Sequence, residues 1–255
     1  SLVLVKILDL GETPLADSFS PAADTEVKFY PLTVGFCETC HLVQLMDDVP
    51  DDLLYGEDYG FFTGSSPALR RHFLDYAQFV MDRFPGQCID GILEIAANDG
   101  TLLEHFSKDG FRAMGIDPAG PATEAARAKN LSVITSPFPP EQPLGKFGVI
   151  IANNVLAHVR KPGEFMRHVA AHLAPDGVVI MEFQYLGDLL ANNDWALFYH
   201  EHRSFLSLSA VQALCAPWGL MIHSFTRQQT QGGSMRVVLR RAPERLTFSN
   251  ERWLR

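Results

Sequence analysis

The chain has 255 residues, of which 47% are hydrophobic and 20% are charged, with a formal net charge of -9 at pH 7. This length and composition allow a full core, so we expect a folded globular protein of one large or two unequal domains and exclude a disordered chain. The acidic balance, without clustered Lys or Arg, disfavours binding to a nucleic-acid backbone, and apolar stretches such as residues 147–152 are too short to span a bilayer.

The two ends of the chain resemble cut ends. The first residue is Ser1 and the chain runs directly into the apolar residues 3–8, while residues 250–255 resemble the opening of a helix whose apolar face is unfinished. We therefore expect a fragment of a longer protein. No basic segment followed by an apolar one opens the chain, so we expect a cytoplasmic protein that does not bind membranes.

Residues 1–66 are rich in Pro, Asp and turn signals and show no long helical pattern. Short runs typical of strands occur at residues 29–34 and 42–45. This composition predicts a small separate N-terminal module, followed by a larger domain over residues 67–255.

Cys37 and Cys40 form a Cys-x-x-Cys pair within the module. Such a pair is compatible with half of a zinc site, with a redox motif or with chance, and the absence of a following helical pattern disfavours a thioredoxin-like motif. The other two cysteines, Cys88 and Cys215, are isolated, so we expect no disulfide framework.

The larger domain begins with apolar residues at helical spacing from Leu69 to Phe84, ended by Pro85 and Gly86. Strand patterns then alternate with helical ones, which predicts a parallel, doubly wound sheet. The predicted strands are residues 92–96, 113–117, 131–135, 147–152 and 178–183, and the predicted helices are residues 101–109, 120–129 and 161–173. Residues 220–226 and 234–240 predict an antiparallel pair at the sheet edge.

The run EIAANDG at residues 94–100 is the strongest indication of a site. An apolar strand enters a tight turn of small residues there, and the next strand ends in Asp117. In an open α/β sheet the carboxyl ends of these two strands lie side by side, so that the carboxylate can accept hydrogen bonds from two ribose hydroxyls. This pattern predicts a nucleotide-cofactor site, although a buried strand and turn without a ligand would look similar.

The composition of the turn discriminates between cofactors. A dinucleotide site needs G-x-G-x-x-G, which this turn lacks, and the acidic Glu94 and Asp99 would repel a pyrophosphate but suit a cationic ligand. Asn98 tolerates the positive φ that glycine otherwise supplies. The residues predicted to bind the cofactor are Glu94, Ala96, Asn98, Asp99, Gly100, Asp117, Pro118, Asn153 and Asn154.

Two further segments contain candidate catalytic residues. Asn153, Asn154 and His158 follow the fourth predicted strand, at the sheet edge where ligands bind, although the asparagines also suit a turn cap and the histidine a helix surface. The run YHEH at residues 199–202 concentrates groups that transfer protons near neutral pH. Metal binding by its two histidines and a surface loop with chance histidines are the alternatives.

Together these motifs resemble the S-adenosylmethionine (SAM)-dependent sugar C-methyltransferases, which act on nucleotide-linked 4-keto-deoxysugars. The matching segments are LGETPLADSF at residues 10–19, CETC at 37–40, EIAANDGT at 94–101, NNVLAHV at 153–159, EF at 182–183, YHEH at 199–202 and GGSMR at 232–236. The resemblance implies a class I methyltransferase fold with a Rossmann-like, mostly parallel seven-stranded sheet, a zinc-binding N-terminal module and a C-terminal domain that helps to hold the nucleotide-sugar.

The resemblance also implies roles for single residues. His202 would be the base, Glu201 would orient it or contact the sugar, and Tyr199 and His158 would shape the pocket and stabilise the oxyanion. The relatives hold zinc with two Cys-x-x-Cys pairs, of which this chain has one. Where relatives often have a histidine before Gly-Gly-Ser this chain has Gln231, and where they often have a second tyrosine after Tyr59 it has Phe61.

Three classes of function remain open from the sequence. The first is a SAM-dependent C-methyltransferase whose partner is a nucleotide-linked sugar, expected to act as a monomer. The second is an O- or N-methyltransferase of another small molecule, which needs a base but no group that stabilises an enolate. The third is a non-catalytic zinc-ribbon binding module, which the acidic Glu94 and Asp117 disfavour.

Overall fold

The computed structural model describes residues 4–16, 27–54, 61–230 and 232–243. The strands are β1 Val5–Pro14, β2 Phe29–Phe36, β3 Val43–Leu45, β4 Ile92–Ile95, β5 Ala113–Asp117, β6 Val133–Thr135, β7 Phe147–Asn153, β8 Leu173–Gln184, β9 Ser204–Phe205, β10 Leu220–Gln228 and β11 Ser234–Arg241. The helices are α1 Asp51–Leu54, α2 Pro67–Arg83, α3 Pro85–Ile89, α4 Leu103–Lys108, α5 Gly120–Ala128, α6 Pro162–His172, α7 Leu186–Asn192 and α8 Leu208–Cys215.

The larger sheet has seven strands in the order β10-β11-β8-β7-β4-β5-β6. Strands β6, β5, β4, β7 and β8 pair in parallel, while β11 pairs antiparallel with β8 and β10 antiparallel with β11. All four residues of β4 and the first six of β7 are buried, as expected for parallel strands that helices cover on both faces. The predicted class I, Rossmann-like arrangement is confirmed.

Alternate residues of the central strands enter two separate cores. Leu93 and Ile95 belong to the core that α6 and α8 cover, whereas Ile92 belongs to the core that α2 and α4 cover. Helix α2 starts where Ser66 accepts a hydrogen bond from the Leu69 amide and ends before Pro85. The apolar spacing from Leu69 to Phe84 is therefore the face that packs against the sheet.

The smaller sheet has four antiparallel strands in the order β1-β2-β3-β9. Its last strand comes from the larger domain, because Ser204 pairs with Gln44 and Phe205 with Val43. The residues just before β9 are the YHEH run, so the N-terminal sheet directly supports that loop. This pairing was not predicted from the sequence, and the domain boundary near residue 66 stays a prediction.

Several features singled out in the sequence lie outside the described residues. These are the two chain ends, residues 17–19 of the first family motif, Tyr59 and Gln231. Among the helices that the structure does describe, none is long and apolar enough to cross a membrane.

Candidate active site

A cavity of about 850 Å³ opens at the carboxyl ends of β4, β5, β7 and β8. This volume is within the range of roughly 300–1,000 Å³ that small-molecule sites occupy. The turn after β4 forms one part of the lining and the loop at residues 199–202 forms another. The topology thus places the two predicted groups of site residues around one cavity.

The turn after β4 is a tight, left-handed bend. Ala96 and Asn98 have φ values of 56° and 50°, and Gly100 has a φ of 73°. The backbone amide of Asn98 donates to Asp117 Oδ2 at 2.8 Å, which ties the turn to the end of β5. An asparagine suits this position because its short polar side chain tolerates the left-handed conformation.

The carboxylate of Asp117 is held by backbone groups on both oxygens. Oδ2 accepts from the Asn98 amide, and Oδ1 accepts from the Ala119 amide at 2.8 Å. Burial raises the pKa of Asp117, while these two amides lower it. Because a carboxylate oxygen has more than one acceptor position, Asp117 can still accept hydrogen bonds from a ligand in the cavity that it lines.

Glu94 lies deeper in the same part of the cavity. It is buried, and its Oε2 atom has no hydrogen-bond partner among the residues described. Burial raises its pKa well above the usual value, and the negative charges of Asp117 and Asp99 add to that effect. An unpartnered carboxyl among other carboxylates favours a ligand that brings positive charge.

Asp99 and Gly100 were predicted to bind the cofactor, and the structure places them outside the residues that line the cavity. Asp99 instead accepts from the Gly64 amide at 3.0 Å and from Thr101 Oγ1 at 2.7 Å. A Cβ atom on Gly100 would lie 2.3 Å from Leu131 Cδ1, so this glycine allows close packing behind the turn. Both residues shape the turn from its far side.

Pro118, Asn153 and Asn154, which were predicted to bind the cofactor, line the cavity. Asn153 Oδ1 accepts from the Tyr76 hydroxyl at 3.0 Å, whereas its Nδ2 has no partner in the described part of the chain. Asn154 has a φ of 52°, and its amide donates to the Glu182 carbonyl at 2.7 Å. The donor hydrogens of the Asn153 side chain are therefore buried and unpaired within the described residues.

Two groups of lining residues were not found from the sequence. Ser136, Pro137 and Phe138 follow β6, and Thr63 precedes α2 beside Phe61, which was noted above only as a departure from the tyrosine of relatives. The first group could have been found, because β6 ends at the same edge of the sheet as β4 and β5. The second group comes from a segment whose composition resembles that of any loop.

His202 is held so that one ring nitrogen is available as a base. Its Nδ1 lies 3.0 Å from the Leu197 carbonyl and its Nε2 lies 2.9 Å from the Tyr199 hydroxyl. A carbonyl can only accept, so we assign the proton of the neutral ring to Nδ1 and the lone pair to Nε2, to which Tyr199 donates. Burial lowers the pKa of His202 to about 4, so the ring is neutral at pH 7.

His158 lies beside His202, with ring centroids 4.9 Å apart in an edge-to-face arrangement. Burial, together with smaller effects of the neighbouring His202 and Arg203, lowers its pKa to about 3. Glu201 is buried and lines the cavity, but the partner of His202 Nδ1 is the Leu197 carbonyl. The role of Glu201 in orienting the base stays a prediction. His200 contacts the Pro31 carbonyl at 3.1 Å, toward the smaller sheet.

Arg203 connects this loop to the end of the N-terminal region. Its buried guanidinium donates to the His158 carbonyl at 2.9 Å, to the Val49 carbonyl at 2.8 Å and to Asp51 at 2.7 Å. Arg160 bonds the Val49 carbonyl and Asp51 as well, from a more exposed position. The segment around residues 48–51 is thus fixed to both histidine-bearing loops.

Cys37 and Cys40 lie close together, since the Cys40 amide donates to Cys37 Sγ at 3.4 Å. Across the described ranges, no three His, Cys, Asp or Glu residues are grouped so that they could hold a metal ion. A structural zinc site needs four ligands in tetrahedral geometry. The two thiolates therefore do not make a complete zinc site.

We expect this chain to bind zinc weakly or not at all, because two thiolates leave half of the tetrahedral shell open. Metal analysis after dialysis against a chelator checks this. A zinc content of one per chain that survives dialysis would contradict the prediction and would indicate further ligands, with His41 as the nearest candidate in the sequence.

Comparison with known proteins gives two family matches. Residues 70–224 match a model described as a methyltransferase domain, and residues 1–55 match one described as a putative zinc binding domain. The C-methyltransferase NovU of Streptomyces niveus is 28% identical over 91% of this chain and 57% of its own length. The chain thus spans little more than half of that relative. A ubiquinone biosynthesis O-methyltransferase of Rhodopseudomonas palustris (strain TIE-1) is 31% identical, over 37% of this chain and 40% of its own length.

Solved structures show the same fold. PH0226 protein from Pyrococcus horikoshii OT3 aligns with a TM-score of 0.59 at 16% identity, covering 71% of this chain and 94% of the other. A second structure is magnesium protoporphyrin IX methyltransferase from Synechocystis PCC 6803 with bound S-adenosylhomocysteine (SAH). It aligns with a TM-score of 0.56 at 14% identity, covering 68% of this chain and 83% of the other. Because the methyltransferase model matches more than half of its residues, this chain belongs to the methyltransferase family and carries a SAM-dependent methyltransferase domain.

Proposed function

We propose that this protein transfers a methyl group from SAM to the carbon beside the keto group of a nucleotide-linked deoxysugar. The observation that carries the proposal is the neutral His202, whose Nε2 accepts from the Tyr199 hydroxyl beside a cavity that continues to the turn after β4. The similarity to NovU over 91% of the chain supports C-methylation. We expect the protein to act as a monomer in the cytoplasm.

The residues around the turn fit a cationic nucleoside. Asp117 would accept from the two ribose hydroxyls, and Glu94 and Asn98 would lie beside the rest of the cofactor. Burial favours the neutral form of Glu94, so its negative charge would appear only when the cationic cofactor binds. Asn153 lines the same cavity, and its buried Nδ2 would donate after a rotation of the side chain. When bound, SAM supplies an electrophilic methyl group on a sulfonium, and alignment of that group with the acceptor lowers the barrier by several kcal/mol.

His202 supplies the base that carbon methylation needs. A carbon beside a ketone becomes nucleophilic only after it loses a proton, and Nε2 can take that proton while the Leu197 carbonyl accepts from Nδ1. Burial weakens this base, as its pKa of about 4 indicates, but an enolate formed beside it would stabilise the imidazolium. A substrate that displaces the Tyr199 hydroxyl from Nε2 frees that hydroxyl to donate to the enolate oxygen.

His158 and Glu201 complete the acceptor end of the cavity. Because its low pKa keeps His158 neutral, the ring can remain close to His202 while that residue gains a proton. Glu201 would contact sugar hydroxyls. These two assignments rest on position and on the family resemblance.

One experiment tests the proposed function most directly. The protein is incubated with SAM and a panel of 4-keto nucleotide-sugars, and the products are analysed by mass spectrometry with fragmentation. We expect a gain of one methyl group on carbon. Methylation of an oxygen or nitrogen would instead favour the second class, for which the similarity to ubiquinone biosynthesis O-methyltransferases over 37% of the chain is a reason.

We expect SAM binding to weaken as the pH falls through the raised pKa of Glu94. Burial and the neighbouring acids favour the neutral carboxyl, while the cationic cofactor favours the ionised one, so binding must remove a proton at low pH. Linkage then lowers the affinity by up to about tenfold per pH unit below that pKa. Calorimetry across pH checks this, and Glu94→Gln should flatten the dependence. An unchanged slope in that variant would contradict the assignment.

We also expect Asp117→Ala to weaken SAM binding by about 1.5–3 kcal/mol, the usual contribution of hydrogen bonds to a charged group. Calorimetry at pH 7 measures the loss. The exposed Asp176→Ala serves as the control and should bind as the wild type does. Equal affinity in both variants would argue against a ribose contact at Asp117.

A further inference from the structure

A short segment lies against the far side of the turn after β4 and also lines the cavity. We call residues 61–65 the cover segment. The Thr63 amide donates to Asn98 Oδ1 at 2.9 Å, and Asn98 Nδ2 donates to the Phe61 carbonyl at 2.9 Å. The side chain of Asn98 thus bonds the cover segment in both directions, as a neighbouring strand would.

Two other contacts hold the cover segment in the same place. The Gly64 amide donates to Asp99 Oδ2 at 3.0 Å. A Cβ atom on Gly64 would lie 2.6 Å from Asp99 Oδ2 and 2.7 Å from Thr101 Oγ1, so the backbone approaches the turn as closely as a glycine permits. On its other side Arg70 bonds the Gly64 carbonyl. The cover segment therefore lies between the turn and α2.

The backbone conformation of Asn98 and the hydrogen bonds of its side chain are separate features. Its φ of 50° would be satisfied by glycine at no cost, so backbone geometry alone does not require a side chain. The side-chain amide of Asn98 bonds Phe61 and Thr63, and these two residues line the same cavity as Asp117. The side chain of Asn98 therefore holds the neighbouring part of the cavity wall.

We propose that Asn98 is a positioning residue that holds the cover segment closed over the cofactor and thereby sets how long the cofactor stays bound. This inference rests on the cofactor site proposed above. A ligand beneath the cover segment leaves only after the Asn98 bonds open, so their loss raises the dissociation rate. Because the same bonds close the ligand-free protein, their loss also raises the open fraction and with it the association rate, so the dissociation rate is the direct readout.

The test measures SAH dissociation by stopped-flow displacement. Asn98→Gly keeps the backbone conformation and the hydrogen bond from the backbone amide to Asp117. It removes the two side-chain hydrogen bonds to Phe61 and Thr63. We expect dissociation to be roughly 5- to 100-fold faster, the range for one or two net hydrogen bonds. Asn193→Gly is the matched control, because Asn193 is exposed and has a φ of 52° at the end of α7. Its dissociation rate should equal that of the wild type.

A second variant changes the cover segment instead of the turn. Gly64→Ala should push the cover segment away from Asp99 and Thr101 and raise the dissociation rate without altering the turn. The double variant should be no faster than the faster single one, since both remove the same closed state. Hydrogen exchange at the Thr63 and Gly64 amides should become faster in Asn98→Gly with SAH bound.

The outcomes separate this inference from the cofactor site. Wild-type dissociation rates in a folded Asn98→Gly protein that binds SAH would overturn the inference and leave the site intact. Failure of the wild-type protein to bind SAH would overturn both. Equal acceleration in Asn98→Gly and Asn193→Gly would assign the effect to general loosening and would also overturn it.

Discussion

His202→Ala and His202→Asn are expected to retain SAM affinity and to lose roughly 10²- to 10⁴-fold in turnover, the usual contribution of a general base. The reason is that Nε2 acts only on the way to the transition state, so its loss spares ground-state binding. Steady-state kinetics with calorimetry checks both parts. His223→Ala, which removes an exposed histidine on β10, is the control and should keep full turnover.

Isotope exchange separates proton abstraction from methyl transfer. Substrate deuterated at the carbon to be methylated should exchange its label with water when the enzyme is mixed with SAH, and the His202 variants should not exchange. Exchange at the wild-type rate in those variants would move the base to His158 or Tyr199. Absence of exchange in the wild type, together with rapid methylation of an oxygen, would favour the O-methyltransferase alternative.

The second large effect concerns stability, at a buried ionic cluster under the cavity. Glu182 bonds His72 Nε2 at 2.6 Å and bonds two guanidinium nitrogens of Arg236, each at 2.9 Å. The guanidinium carbon of Arg236 lies 3.9 Å from the ring centroid of Tyr76, whose hydroxyl bonds Asn153. The cluster therefore joins α2, β8 and β11 to a residue that lines the cavity.

We expect Glu182→Ala to lower the free energy of unfolding by about 3–5 kcal/mol, because it leaves the buried Arg236 charge without its partner. Urea denaturation followed by circular dichroism measures this change. Asp75→Ala, which breaks an exposed ion pair with Arg71 on α2, is the control and should cost less than about 1 kcal/mol. A change below about 1 kcal/mol in Glu182→Ala would contradict the prediction.

The pH dependence of this cluster has a definite sign. Burial raises the pKa of Glu182, but His72 and Arg236 outweigh it and leave the pKa below the usual value. A carboxyl whose folded pKa is lowered contributes stability above its unfolded pKa and loses it as the pH falls through the folded pKa. The cluster should therefore lose its contribution below about pH 4.5, the reference value for glutamate, and Glu182→Gln should not show that loss.

The strands of the larger sheet could be predicted because helices bury them on both faces. Ala113–Asp117 is confirmed with its exact bounds. Strand β8 begins earlier than predicted, at Leu173, because Pro175 and Asp176 resemble a turn in the sequence but form an exposed part of the strand after its buried first two residues. Strand β9 has two residues, too few to show any periodicity, so only its pairing with β3 reveals it.

The candidate site could be predicted in part, for a physical reason. Glu94 and Asp117 could be predicted to lie together because they stand near the carboxyl ends of adjacent parallel strands, whereas His202 was singled out by the local YHEH run. The Leu197 carbonyl, which holds the His202 ring, carries no sequence signature because every residue has such a group. The cover segment was likewise not predicted, since its contacts are backbone groups that meet Asn98 and Asp99 from a distant part of the chain.

The pairing of β3 with β9 limits how this protein can be recombined with its relatives. Residues 204–205 complete a sheet built from the first part of the chain, and Arg203 bonds the Val49 carbonyl next to the loop that holds His202. A chimera that exchanges the first 50 or so residues would also replace the partner strand of β9 and the anchor of Arg203. We therefore expect active hybrids only when residues 199–206 are exchanged together with the N-terminal region.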